Sequence, residues 1–337
     1  MVRLEVTRWA RPGGLVAAVS LPGPAGGVRV RGGQGAMAGF PDATNTGFVA
    51  WPGYTGSLTT YSGPDPIPSS ASGTTYQGYR FSGGVTVGVA GSFPTGVTFR
   101  GCEFVITSPN DWNVQDYGTG TTFEYCTFRP SAVSTPPVSL AQSYQYGINH
   151  VGLSLTVRRC NFWGFGNGIQ LGTSTLANPV LVEDSYFHDA ADQSGSTYHH
   201  DGILSNNGGS QMQYITIRRN TIVSGGNTNG IALQVDSVGG AYYSNIAVVG
   251  NLLGGWGYSV NIGGNATGNS NITFTDNVLT TAIQPGFSEL YGWADGNGNL
   301  WRRNKWRVPS GAQYGSPADD GKFWWPDGTR RVTDYTG

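Results

Sequence analysis

Eight short segments of this chain repeat one pattern, and that repeat leaves few folds open. Residues 215–222 read Ile-Thr-Ile-Arg-Arg-Asn-Thr-Ile. Versions recur at 96–104, 121–128, 155–162, 180–187, 246–253, 272–279 and 300–306. Each runs apolar-x-apolar, then two polar or small residues, then a Cys, Ser or Asn, then x-apolar. The aligned pivots are Cys102, Cys126, Cys160, Ser185, Asn220, Asn251, Asn277 and Asn304, spaced 24, 34, 25, 35, 31, 26 and 27 residues apart. A period in the twenties to thirties with short strands and no helical pattern marks a solenoid.

A further strand follows most pivots: Gly147-Ile148-Asn149, Gly168-Ile169-Gln170, Gly202-Ile203-Leu204, Gly230-Ile231-Ala232 and Tyr258-Ser259-Val260. Each coil therefore has at least two short strands joined by Gly- and Asn-rich corners. Stacked coils pair strand on strand in parallel, about 4.8 Å apart, with alternate apolar residues filling the shaft. The pivot sits at a corner, where a small polar side chain can turn inward and bond the backbone of the next coil. The repeat resembles the right-handed parallel β-helix superfamily of pectate lyases, polygalacturonases and phage tailspikes. The expected fold is all-β: a small N-terminal β segment over 1–35, a parallel β-helix over 36–310 and a C-terminal aromatic cap over 311–337.

Gly accounts for 54 of 337 residues and charged residues for only 12%. That balance could describe a disordered chain, but 12% aromatics and regular apolar ladders argue for packing. A net charge of −1 implies no broad basic surface for nucleic acid. No run of about 20 apolar residues offers a membrane span. Cys102, Cys126 and Cys160 all occupy pivots and read as stacked interior residues without zinc spacing. The apolar run in 14–21 is short for a signal-peptide core, and Glu5 interrupts the basic stretch of Arg3, Arg8 and Arg11, so no export signal is expected.

Residues 1–35 read as three strands, 2–9, 15–21 and 27–31, separated by turns. Residues 32–46 read as a linker. Phe40-Pro41-Asp42-Ala43-Thr44-Asn45-Thr46-Gly47 resembles the stretch that precedes the first coils in actinobacterial secreted β-helices and in tail proteins of phages infecting actinobacteria. Tyr79-Arg80-Phe81 and Val85-Thr86-Val87 are expected strands of a first, irregular coil. The long insertions, 130–146 and 190–200, mark one flank as the working face, while 236–243 reads as an ordinary turn.

Two positions before the pivots stand Arg100, Glu124, Arg158, Glu183 and Arg218, and one position later Arg159, Asp184 and Arg219. Stacked coils turn these into vertical ion-pair ladders. Exposed pairs contribute well under about 1 kcal/mol each. A second reading is that spare guanidinium groups grip an acidic sugar.

All four histidines, His150, His188, His199 and His200, lie between 150 and 200, with Asp189, Asp192 and Asp201 among them. Histidine beside carboxylate suits general acid–base chemistry near neutral pH, or the aspartates could offer oxygen ligands to Ca²⁺. Asp201-Gly202-Ile203 resembles the Asn-Thr-Asp-Gly element of polygalacturonases, whose Asp is catalytic. That family's Asp-Asp pair and Gly-His-Gly are missing here. Glycoside hydrolysis usually needs a second carboxylate, for which Asp189 and Asp192 are candidates. The candidate catalytic set is His199, His200, Asp201 and Asp189. A lyase would instead pair His200 with Arg218 or Arg219. The structural alternative is that Asp201 bonds its own corner and Gly202 allows the bend. His150, Asn149, Gln170, Tyr198, Arg218 and Trp163 are candidate substrate contacts, since aromatic faces stack on sugar rings. No other cofactor is implied.

The resemblance to phage tail proteins implies a virion protein: a minor tail or receptor-binding component that contacts host-surface polysaccharide and other tail proteins. It also implies, and the apolar tail permits, a homotrimer. The rival expectation is a secreted polysaccharide lyase or glycosidase.

Overall fold

In a computed structural model, residues 6–11, 14–19, 39–107, 112–131, 146–190, 200–205, 211–223, 228–233, 242–254, 258–263, 268–280, 288–289 and 296–307 are described. The chain divides into two units, Met1–Gly35 and Ala36–Gly337. The first holds an antiparallel hairpin, Val6–Arg11 paired with Gly14–Val19, in a register that runs from Val6 opposite Val19 to Arg11 opposite Gly14. The third strand expected there lies outside the described residues, as do the C-terminal tail beyond 307 and the turn at 236–241.

The second unit is a right-handed parallel β-helix. Its described strands form three parallel sheets. The first has nine strands, from Thr75–Gln77 to Leu300–Arg302. The second has ten, from Thr59–Thr60 to Lys305–Arg307, and the third eight, from Val85–Val87 to Ser288–Glu289. Each repeat segment spans two strands, because the pivot breaks it: Met212–Arg218 belongs to the first sheet and Thr221–Val223 to the second. The Gly-Ile strands form the third sheet, with Ile148, Ile169, Ile203, Ile231 and Val260 in one inward column.

The corner between the first two sheets explains the pivot. Every pivot from Cys102 to Asn304 is fully buried. Asn251 Oδ1 accepts the backbone N–H of Asn220 at 2.9 Å, and its Nδ2 donates to Ile217 O at 3.0 Å. Asn277 treats Asn251 and Val248 in the same way, and Asn304 treats Asn277 and Phe274. In the earlier coils the thiols of Cys126 and Cys160 donate weakly to Phe99 O and Phe123 O, the equivalent carbonyls. Ser185 Oγ accepts Cys160 N–H at 3.0 Å. A polar spine thus satisfies buried backbone groups that the strand ladders leave unpaired at the corner.

Burial pushes the Cys102 and Cys126 thiols well above the ordinary range. All three cysteines are free and buried. A thiol reagent is therefore expected to titrate none of them in native protein and all three after denaturation. Rapid native labelling would contradict this packing.

The residue before the pivot is the second requirement of this corner. Gly101, Tyr125, Arg159, Asp184, Arg219, Gly250, Asp276 and Arg303 all adopt the left-handed conformation, with φ between 51° and 66°. Tyr and Arg tolerate this at a cost of roughly 1–2 kcal/mol, and in return their side chains stack vertically. Arg219 Nε bonds Asp184 Oδ1 at 2.7 Å, and Arg303 Nη2 bonds Asp276 Oδ2 at 2.6 Å.

Inside the shaft, Phe81, Phe104, Phe128, Phe162 and Phe187 stack along the second sheet with centroids 4.4–4.9 Å apart. Tyr76, Phe99 and Phe123 stack along the first sheet, and their column continues as Val157, Val182, Ile217 and Val248. Residues 39–51, expected as linker and lead-in, form a strap along the corner. Asp42 Oδ1 accepts Thr44 N–H, Asn45 Oδ1 accepts Asp42 N–H, and Thr46 Oγ1 donates to Asp42 O. Gly47 N–H then donates to Arg159 O, and Phe48 N–H to Thr127 Oγ1. The Trp51 ring covers Gly101 so closely that a Cβ there would collide with it. The Pro-Asp-x-x-Asn-Thr-Gly stretch is thus a self-bonded turn that docks onto the coils.

Candidate functional site

Asp201 opens a strand of the third sheet, Asp201–Ser205, and is fully buried. Its Oδ1 accepts Asn229 N–H, Asn229 Nδ2 and Thr228 Oγ1, each at 2.9 Å. Its own N–H donates to Asn167 Oδ1 at 3.0 Å. Asn167, Asp201 and Asn229 stand in one column, so they build a second polar spine at this sheet's edge. The carboxylate bonds the corner, and it lends its charge to Tyr146: burial first, then Asp201, raises that phenol. His200 beside it is buried, and its carbonyl accepts Thr228 Oγ1.

The other two described histidines occupy separate places. His188, on the strand Tyr186–His188, bonds Asp189 Oδ2 at 2.5 Å and Asn161 Oδ1 at 2.8 Å, and stacks on Tyr186 with centroids 4.0 Å apart. Asp189, offered above as partner to Asp201, is hydrogen-bonded to this imidazole. His150 points into the shaft, where its Nδ1 bonds Asp116 Oδ2 at 2.8 Å with both side chains fully buried. Asp116 Oδ1 also accepts Gly118 N–H and Thr121 Oγ1. Asp116 was not among the residues singled out from sequence. It could have been found by register, because it follows Val114 by two places as His150 follows Ile148.

Asn149 and Gln170 are neighbours in one outward column with Gln115, and Asn149 Nδ2 donates to Gln115 Oε1 at 2.8 Å. Trp163 is buried. With Phe162, Phe165, Phe187, His188 and Ala190 it lines a shallow apolar depression with room for about one water molecule. His199, Tyr198 and Asp192, and most of both long insertions, lie outside the described residues.

The charged ladder falls in the expected register, Arg100, Glu124, Arg158, Glu183 and Arg218 on successive strands. Its pairing is uneven, however, and one member of this outward column is buried beneath its partners. Glu183, with a side chain only 2% exposed, accepts Arg158 Nε at 2.6 Å, Arg218 Nε at 2.7 Å and Arg219 Nη2 at 2.8 Å. Arg100 Nε bonds Glu124 Oε2 at 2.8 Å. Arg159 bonds the Tyr125 hydroxyl and lies over its ring.

No protein-family model matches this chain, and neither does any curated protein. The site must therefore be read from its own geometry. Among the described residues no three His, Cys, Asp or Glu side chains gather as a metal ligand set, and no helix is long and apolar enough to cross a membrane.

Burial alone would raise the Glu183 carboxyl, but the hydrogen bonds and charges of Arg218 and Arg158 outweigh it and hold it below the ordinary glutamate value. A lowered carboxylate stabilises the fold above the unfolded-state value, about 4.5, and loses that contribution as pH falls through the lower folded one. Wild type and Glu183→Gln should therefore differ by a constant stability from pH 7 to 5. That difference should shrink below about pH 4.5. A difference independent of pH down to 3 would refute the assignment.

Proposed function

We propose that this chain is a phage tail component, a minor tail or receptor-binding protein of the virion, whose β-helix lies against host-surface glycan. One observation carries the reading. The carboxylate nominated for catalysis, Asp201, is buried and bonded to its own corner, whereas Arg100, Arg158 and Arg218 stand in one registered outward ladder with side chains 42–43% exposed. In this reading Arg218 and its ladder meet a polymer chain rather than cut one, and Asn149 and Gln170, half-buried on the third sheet, are secondary contacts. The likeness of 40–47 to the lead-in of phage tail β-helices supports the virion setting. Other tail proteins would meet the ends of the column, and a homotrimer is the assembly this reading favours.

Adsorption tests it. Virions lacking this chain should bind host cells poorly, and normal adsorption would remove the proposal. Incubating the purified protein with host envelope polysaccharide separates binding from cleavage. Depolymerisation abolished by Asp201→Ala and His200→Ala would establish the lyase or glycosidase instead.

A further inference from the structure

Five arginines, Arg100, Arg158, Arg159, Arg218 and Arg219, share one ridge beside the pivot corner with only three carboxylates, Glu124, Glu183 and Asp184. The ridge therefore carries an excess of two positive charges in a chain whose net charge is −1. We infer that it is a binding strip for a linear acidic glycan, with uronate carboxylates seated on the arginines and the polymer running parallel to the helix axis. The inference rests on the glycan-contact reading and names the chemistry of the glycan.

The way the ion pairs are made is the first support. Glu124 and Glu183 engage Arg100, Arg158 and Arg218 through Nε. Among the described residues, the two Nη groups of each of these arginines make no hydrogen bond, and the side chains are 42–43% exposed. The acids below hold each guanidinium at its inner edge and leave its outer fork to solvent. That fork matches a carboxylate in two parallel hydrogen bonds. Arginines fixed in this way have already lost much of the rotamer freedom that binding would otherwise cost.

Spacing is the second. The three forks stand on alternate rungs, about 9.6 Å apart at twice the strand separation of about 4.8 Å. A polymer whose acid groups recur at a like interval meets them in register. Arg159 fills the rung beside Arg158 and, among the described residues, has no carboxylate in its hydrogen bonds. It lies 5.2 Å from the Tyr125 ring centroid and bonds the Tyr125 hydroxyl, which holds this guanidinium in place on the strip. Density of charge decides between anions. A duplex nucleic acid presents one charge per about 1.7 Å, far more than an excess of two over five rungs can neutralise. A uronate chain that turns alternate carboxylates to the strip fits.

The test uses full-length protein and isothermal titration with three probes: oligogalacturonate, the same oligosaccharide with its carboxyls reduced to alcohols, and polyglycerol phosphate. Wild type should bind the first, lose binding as salt rises and ignore the second. Arg159→Gln and Arg100→Gln should each weaken binding about tenfold without shifting the melting temperature by more than a few degrees. Arg158→Lys with Arg218→Lys keeps counter-charge on buried Glu183 but removes the forks, and should weaken binding by about as much. Equal affinity for the reduced probe, preference for polyglycerol phosphate, or unchanged affinity in folded variants would each overturn the inference. Virions carrying the same substitutions keep the two readings apart. Adsorption that needs the chain but not these arginines removes only the strip. Oligogalacturonate binding by a protein dispensable for adsorption removes only the tail role.

Discussion

Asn251→Ala is expected to lower stability by about 4 kcal/mol, more than any surface change in this chain. Asn251 Oδ1 accepts both the N–H and the Nδ2 of Asn220, at 2.9 and 3.0 Å. Its Nδ2 donates to Ile217 O and to Asn277 Oδ1, both at 3.0 Å. Alanine strands the Asn220 backbone N–H inside the shaft, where water does not reach, and takes one donor from Ile217 O. Each buried group left unsatisfied costs about 1–3 kcal/mol, and the cavity adds to that. Asn251→Ser is the informative companion. A serine hydroxyl can still accept the N–H of the previous pivot, as Ser185 does for Cys160, but it does not reach the carbonyl. Its loss should be about half that of alanine. Urea unfolding followed by circular dichroism reads both. Coils in a solenoid contact mainly their neighbours, so a separate early transition in Asn251→Ala would also be consistent with a broken spine. Equal midpoints for alanine and wild type would mean that the spine is incidental.

The spine was legible in sequence because it is periodic. A Cys, Ser or Asn at each turn, flanked by alternating apolar residues, has few explanations other than stacked corners. The sign alternation from Arg100 to Arg218 was legible for the same reason. What the sequence hid depends on conformation and not on residue type. Tyr125, Arg159 and Arg219 are left-handed, yet none belongs to the types that favour that region, so their role emerges only when the corner is seen whole. Burial of Glu183 was hidden too, because it depends on three guanidinium groups from two other coils closing over it. Proximity in sequence did not show which of the described histidines and carboxylates meet. In a solenoid one coil occupies about 30 residues, so neighbours along the chain often lie on different sheets, as His188 and Asp201 do. The partner of His150 is Asp116, 34 positions earlier and one rung away.

Gly168→Ala should destabilise the protein by about 2–4 kcal/mol, through crowding and not through backbone strain. Gly147, Gly168 and Gly202 form one column of the third sheet, facing the phenylalanine stack of the second. A Cβ on Gly168 would lie 2.6 Å from Gly202 O and 2.7 Å from Phe187 Cδ1. Neither neighbour can yield cheaply. The carbonyl belongs to the adjoining strand, and the ring is stacked on Phe162 at 4.5 Å with its plane tilted by only 1°. Overpacking of this kind typically costs about 1–3 kcal/mol, and more where backbone must shift. Gly96→Ala separates the two causes. Gly96 has a φ of 68°, and a Cβ on it would meet nothing within 4 Å. It should therefore lose only about 1 kcal/mol, from backbone strain. Adding Phe187→Leu to Gly168→Ala should recover part of the loss, because a smaller side chain relieves the ring contact and leaves the carbonyl contact in place. Non-additivity of that size is expected only for groups in direct contact. If Gly168→Ala proved no worse than Gly96→Ala, the third sheet would have slack that the ring stack does not allow, and the close packing of sheet against stack would have to be abandoned.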